Sequence, residues 1–395
     1  MKKALVISFQ SLTQKSGGGI GKLGFYLSKS LDESNKLNKF VVSSKGKFKT
    51  SFPSEPVSRL SRYYLFLINK VEKKNHLKSH VSRYIQECLF DWFCQFHIKE
   101  STELIITTTP YLYKTFRKAK RLCIPIYFIP GNPEDNLINE IVTQEKKKFN
   151  IQLSDAYTYP KRLNFYNKSV SLIDHIITYS SVMEESYASK NEFNVIPING
   201  YLKPDFDLPY RQISCRENET FKVAFLAHTV LLKGLQYLLE AWSDLQHLEM
   251  ELHIGGAIDN NIRKIIQERF KDLRNVYYYG KIEDVANFLH DKSLYILPSL
   301  IDGAPVTVLE AIYCNIPVIV TEKCGTKDIL ENGKTGWVIK PGNSQEIKDK
   351  ITWIFENKTA SQLMALKAKM ILDNYNIATF INGIDNVIDW KNKYE

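Results

Sequence analysis

The chain has 395 residues, of which 44% are hydrophobic and 24% charged, and it carries a formal net charge of +10. That balance excludes a disordered or fibrous chain, and the length exceeds one ordinary core, so two domains of about 100–200 residues each are expected. No apolar run approaches the roughly 20 residues of a membrane-spanning helix. The start, MKKALVISFQ, has too short an apolar stretch for a secretory signal, so a cytoplasmic protein is expected. Six cysteines, at 88, 94, 123, 215, 314 and 324, form no C-x-x-C pair and no Cys/His spacing, so reduced thiols and no metal site are expected.

In chain order, an apolar strand is expected at 4–9, followed by the glycine loop GGGIGKLG at 17–24 and a helix at 20–31. Gly19 to Gly24 satisfies G-x-G-x-x-G in spelling only. A dinucleotide fingerprint follows its strand at once and has an acidic residue about 20 positions on. Here the glycines begin eight residues after Phe9, and the second strand, at 40–43, runs on as FVVSSK without an acid. A P-loop fails too, because Leu23 follows Gly21-Lys22 and Ser16 stands where the first glycine belongs. What remains is a glycine loop feeding a helix start, where Gly18 and Gly19 are candidate contacts for an anionic or hydroxyl-rich ligand.

The next segment holds most of the excess charge. Between Lys45 and Arg83 there are ten basic residues against Glu55 and Glu72. Within it, Leu60, Tyr64, Leu67, Ile68 and Val71 recur at helical spacing, predicting one helix from 60 to about 80. From Arg59 to Arg83 this basic, apolar-faced stretch suits an anionic membrane surface. The alternative is a soluble helix with Leu67 and Val71 packed inward. No nucleic-acid motif accompanies the charge, so nucleic acid is not an expected partner.

Strands are then expected at 104–108, 126–129, 175–178 and 194–198, with a helix at 159–172. The polar stretch 201–218, with Pro204 and Pro209, reads as a linker. Beyond it the strands fall at 223–227, 251–254, 276–279, 294–297, 317–320 and 336–339. The helices fall at 234–242, 261–270, 285–290, 305–313 and 345–355. Continuous apolar strands alternating with helices imply parallel sheets covered on both faces, hence two doubly wound α/β domains with a ligand cleft between them.

Two strand ends carry candidate chemistry. The loop after 223–227 holds His228 and Lys233, and an ammonium there suits a diphosphate. The strand at 294–297 runs into Pro298-Ser299, Asp302-Gly303-Ala304, and a helix from Pro305. That helix start offers free N–H groups to an anion. Glu310 lies inside it, eight residues after Asp302, and the pair suits sugar hydroxyls at one end and ribose hydroxyls at the other. The structural alternatives are a helix N-cap for Asp302 and a solvated face for Glu310.

The run 223–342 resembles the C-terminal domain of retaining glycosyltransferases of the GT-B type, family 4. It shares the strand–loop–Lys-Gly–helix at 223–242, the P-S-x-x-[D/E]-G-x(6)-E segment at 298–310, and Pro317-Val318-Ile319 through Gly325, Asp328, Gly333, Thr335, Gly336, Pro341 and Gly342. The first half resembles the family more weakly, at Gly17–Gly19 and at 173–206. The resemblance implies an N-terminal acceptor-binding Rossmann-like domain at 1–200, a C-terminal nucleotide-sugar-binding one at 201–375, and a terminal helix at 376–395 packing back on the first. It implies Lys233 on the donor diphosphate, Asp302 near the transferred sugar, Glu310 on the ribose, and the backbone of Gly303, Ala304, Pro305 and Val306 facing sugar and phosphates. Gly280, Lys281 and Ile282 would lie beside the base. His228 stands where the family has arginine, and Pro130-Gly131-Asn132 where it often has histidine, so no acceptor-side base is assigned.

The implied reaction transfers a sugar, with retention, from a UDP- or GDP-linked donor to an acceptor hydroxyl, without a metal ion. A glycan or lipid-linked acceptor in bacterial surface polysaccharide, lipopolysaccharide or glycolipid assembly is implied, with the enzyme peripheral on the inner membrane face. The alternatives are a catalytically weakened partner subunit and an epimerase-like relative.

Overall fold

A computed structural model describes residues 2–12, 19–74, 76–189, 193–200, 220–375 and 377–390. Gly18 and the expected linker at 201–218 lie outside the described residues.

The apolar runs of the first half become strands because side chains on both faces of the sheet are covered. β1 (Ala4–Leu12), β2 (Leu37–Lys45), β3 (Ser54–Pro56), β4 (Leu104–Thr107), β5 (Ile126–Phe128), β6 (His175–Thr178) and β7 (Val195–Pro197) form a parallel sheet. Its order is β3-β2-β1-β4-β5-β6-β7. Its helices are α1 (Gly19–Glu33), α2 (Ser61–Lys73), α3 (Ser79–Cys94), α4 (Tyr113–Arg121), α5 (Asp135–Lys148), α6 (Pro160–Val170) and α7 (Ser181–Ala188).

The second half repeats the plan with β8 (Phe221–Leu226), β9 (Met250–Gly255), β10 (Val276–Gly280), β11 (Leu294–Leu297), β12 (Val318–Thr321) and β13 (Trp337–Ile339), ordered β10-β9-β8-β11-β12-β13 and also parallel. Its helices are α8 (Leu235–Ser243), α9 (Asn260–Arg269), α10 (Val285–Leu289), α11 (Val306–Tyr313), α12 (Ser344–Glu356), α13 (Lys358–Asp373) and α14 (Ile377–Val387). The strand order reverses between β1 and β4, and again between β8 and β11, so the carboxyl ends of β1 and β8 open onto crevices suited to ligands.

Two expectations need correction. The single helix at 60–80 is two helices, α2 and α3, folded back on each other: Tyr64 stacks on Phe93 and Gln86 bonds Asn69. Packing α2 by its Ser61, Tyr64, Leu65 and Ile68 side leaves Leu67 and Val71 40% and 43% exposed, so the inward-packing alternative fails for both. The first sheet also has an edge strand, β3, absent from the sequence reading.

The two halves share apolar surface. Ile138, Val142, Phe149, Ile151 and Val182 of the first half lie in the same core cluster as Phe225, Leu235 and Ile296 of the second. In return, Phe380, Ile381 and Ile384 of α14 pack with Ala4, Val6, Phe40 and Ile106 of the first sheet. Lys36 and Asp385 pair at 2.6 Å beside them. Phe380 is fully buried, a contribution of about 2–3 kcal/mol.

Candidate functional site

The loop after β8 turns sharply because Gly234 sits at φ +72°. A Cβ there would stand 1.9 Å from the carbonyl oxygen of Pro298. Glycine thus lets the Lys233 turn press directly on the loop after β11, and Leu300 N donates to Leu232 O at 2.7 Å. This contact brings two positions 69 residues apart together: Lys233 Nζ lies 2.5 Å from Asp302 Oδ2. Ser299 Oγ donates to the same oxygen at 3.2 Å. Burial pulls the Lys233 ammonium down, and the charge and hydrogen bond of Asp302 more than reverse it, so its pKa lies above the usual lysine value.

Asp302 is therefore not the N-cap of α11. Pro305 occupies that position, without a capping side chain, and the helix begins at Val306 rather than Pro305. No side chain caps the first amides of α11, and the helix dipole there favours an anion. Gly303 and Ala304 lead into it. A Cβ on Gly303 would meet Met183 Cε at 2.1 Å, and one on Gly325 would meet Gly303 O at 1.6 Å. Ser180 Oγ donates to Gly303 O at 2.7 Å, and Ser181 donates through N and Oγ to Asp328 at 2.7 and 2.5 Å. The Asp302–Gly303 loop is thus clamped between α7 of the first half and the turn around Gly325 of the second.

Glu310 faces no open solvent: it is 5% exposed. Burial pushes its carboxyl up to about 7, with the charge of Lys22 in α1 opposing. Lys22 lies in the first turn of α1, so a helix of the first half comes within electrostatic reach of α11. The unfolded chain ionises this group near its ordinary value of 4.5. The folded state holds the proton more tightly, so stability is fullest below that value and is lost as pH rises through about 7. Glu310→Gln is expected to remove this loss. Between pH 5 and 8 the wild type should fall relative to the variant by up to about 3 kcal/mol. Urea denaturation at both pH values checks this, and a constant difference between the two proteins would refute it.

A cavity of about 890 Å³ lies between the halves. Phe9 and Gln10 from the end of β1, Tyr111, Gly131, Asn132 and Tyr157 line the first side, and His228, Asp259 and Lys281 the second. The His228 ring reaches solvent, yet burial first and the Lys233 ammonium second hold its pKa below the usual histidine value, so it is neutral at pH 7. Tyr157 lies within the field of Lys233, which links the cavity to the ion pair. Gly280, in the left-handed region at φ +65°, turns the chain so that Lys281 reaches the cavity, while Ile282 turns inward to touch the Gly255 position.

The structure thus brings Lys233 and Asp302 into contact, sets Glu310 by α1, and puts His228 and Lys281 on the cavity wall. Lys233, Asp302 and Glu310 are not among the residues that line the cavity. Sequence reasoning did not single out His80, Arg83, Asp155, Arg162, Asp259 or Asn261, which also line it. The one usable signal was Asp259 before a helical run, a cap pattern borne out by its bond from Ile262 N at 2.9 Å. Among the described residues, no group of three or more His, Cys, Asp or Glu is placed to hold a metal ion. Among them too, no helix is long and apolar enough to cross a membrane.

Residues 209–388 match the family described as glycosyl transferases group 1. An uncharacterized glycosyltransferase of Haemophilus influenzae is 25% identical over 231 residues, 56% of this chain and 62% of that protein. N,N'-diacetylbacillosaminyl-diphospho-undecaprenol alpha-1,3-N-acetylgalactosaminyltransferase of Campylobacter jejuni is 26% identical over 136 residues, 34% of this chain and 36% of that protein. The chain therefore spans between about a third and three fifths of the length of these curated relatives. Among solved structures, WaaG, a glycosyltransferase involved in lipopolysaccharide biosynthesis, superposes with a TM-score of 0.68 at 13% identity, covering 98% of this chain and 100% of that one. HepE of Anabaena, solved in complex with UDP and glucose, gives 0.65 at 15% identity, covering 99% and 100%. These likenesses establish the architecture of two facing Rossmann-like halves. The chain has the GT-B fold, and the part of it that matches the glycosyl transferases group 1 is the second Rossmann-like half.

Proposed function

We propose that the protein is a retaining, metal-independent glycosyltransferase. It moves a sugar from a UDP- or GDP-linked donor to a hydroxyl of a glycan or lipid-linked acceptor in the assembly of bacterial surface polysaccharide, lipopolysaccharide or glycolipid. The observation that carries this reading is the Lys233–Asp302 pair, fixed beside the uncapped amides of α11. The ammonium has three N–H donors and Asp302 takes one, so the others remain for diphosphate oxygens while Asp302 holds the lysine in place. The bond that breaks joins the anomeric carbon to the diphosphate, and its electrons leave with the phosphate. Lys233 and the amides of Val306 and Thr307 stabilise that charge without reorganising. The acceptor oxygen bonds the anomeric carbon on the same face, and its proton passes to the leaving phosphate oxygen. In this reading Glu310 holds the ribose and Lys281 lies by the base.

The acceptor side has its own support. Leu60, Tyr63, Phe66, Leu67 and Val71 are 40–66% exposed along α2, and Trp92 and Phe96 extend the patch from the end of α3. Arg59, Arg62, Lys70, Lys73 and Lys74 accompany them. Apolar side chains flanked by long basic ones suit an anionic bilayer, with the cations reaching its phosphates. In this reading the enzyme works on the cytoplasmic membrane surface, next to a lipid-linked acceptor.

The test takes the purified chain. UDP or GDP is expected to raise its melting temperature by mass action, and vesicles of phosphatidylglycerol with phosphatidylcholine to float it. Phe66→Glu with Leu67→Glu abolishes flotation and spares the nucleotide shift. No shift with either nucleotide defeats the donor reading, and flotation unaltered by the double substitution defeats the surface reading.

A further inference from the structure

One wall of the cavity carries a polar cluster that the donor chemistry leaves unused. His80 comes from the first turn of α3, Asp155 from the loop before α6, and Asp259 and Asn261 from the start of α9. Asn261 is 3% exposed. Its Nδ2 donates to Asp155 Oδ2 at 3.2 Å and to Asp259 Oδ2 at 3.4 Å. Its Oδ1 is buried and has no hydrogen-bond partner. Buried acceptors are almost always matched, so an unmatched carbonyl on a cavity wall calls for a donor that arrives with a ligand.

The charges around it select the kind of donor. Asp155 is ion-paired with Lys146. Burial, with Asp155 adding to it, pushes Asp259 up to about 6. Burial, followed by the charge of Lys78, keeps the His80 ring below its ordinary pKa, with Asp155 opposing. The cluster therefore presents carboxylate and amide oxygens and an imidazole, with the Lys146 ammonium engaged by Asp155. That set accepts from and donates to hydroxyls. Tyr157 lines the same cavity. His80 and Asp155 belong to the first half and Asp259 and Asn261 to the second, so a ligand seated here touches both.

We propose that His80, Asp155, Asp259 and Asn261 form a hydroxyl-binding subsite for a neutral sugar ring of the acceptor, complete only when the two halves are apposed. The inference rests on the sugar-transfer reading and adds to it the class of group that the acceptor presents.

Saturation-transfer NMR on the full chain, with UDP present, tests it with the methyl glycosides of glucose, galactose, N-acetylglucosamine and N-acetylgalactosamine as probes. At least one is expected to bind saturably. Asn261→Leu should weaken it at least tenfold, and Asp259→Asn should weaken it as well. The melting-temperature shift with UDP should stay at the wild-type value in both variants, which also reports that they fold. Binding indifferent to Asn261→Leu and Asp259→Asn overturns the subsite, as does failure of all four glycosides under conditions where UDP binds. Failure of both UDP and GDP overturns the parent reading instead.

Discussion

Lys233→Ala is expected to lower sugar transfer by about a hundred- to a thousandfold, the usual effect of losing one preorganised donor at a developing negative charge. The ion pair adds a second effect. Asp302 is 6% exposed and loses its counter-charge, so the variant should also lose about 2–4 kcal/mol of stability. The two effects separate in the double variant Lys233→Met/Asp302→Asn, which leaves no buried charge unmatched. Stability should return most of the way while transfer stays at the level of the single variant. Urea denaturation and initial transfer rates, measured on the wild type and on both variants, check this. Recovery of transfer in the double variant would show that the pair serves the fold alone.

Gly234→Ala should produce a large loss of stability from a single methyl group. The residue sits in the left-handed region at φ +72°, and the added carbon would stand 1.9 Å from a backbone oxygen of Pro298. Backbone cannot turn aside as the end of a flexible side chain does, so either the lysine turn or the loop after β11 must move. A loss of at least about 3 kcal/mol is expected. The same displacement carries Ser299 and Asp302 away from Lys233, so the variant should lose transfer even at temperatures where it stays folded. Gly46→Ala is the control, because nothing lies within 4 Å of its added carbon, and its effect should stay within about 0.5 kcal/mol. A loss below 1 kcal/mol for Gly234→Ala would show that the two loops are not wedged together.

The sequence was most legible where one physical cause acts alone. Strands such as β1 and β12 are continuous apolar runs covered on both faces, and their pattern announces this. β3, with the sequence Ser-Glu-Pro, has no apolar pattern, since a three-residue edge strand is held by β2 alone. The break between α2 and α3 has no proline or glycine to mark it. It arises because α2 turns its Tyr64 side onto α3, a tertiary cause. Lys233, Asp302 and Glu310 could each be picked out by residue type and spacing, but their environments could not. The ion pair depends on the fit of Gly234 against Pro298, and the burial of Glu310 depends on packing that its spacing from Asp302 does not record. The cavity residues His80, Asp155 and Asn261 were invisible for the same reason: three distant segments bring them together.

The return of α14 to the first sheet has a mechanical consequence. The chain passes between the halves twice, once after Gly200 and again before Ile377, and the described residues beside the two crossings touch. A Cβ on Gly200 would lie 3.1 Å from Phe380 Cα, and one on Gly383 would lie 3.5 Å from Ile198 Cβ. Two crossings packed against each other restrain the halves more than one crossing would, so any opening of the cavity has to bend about this contact.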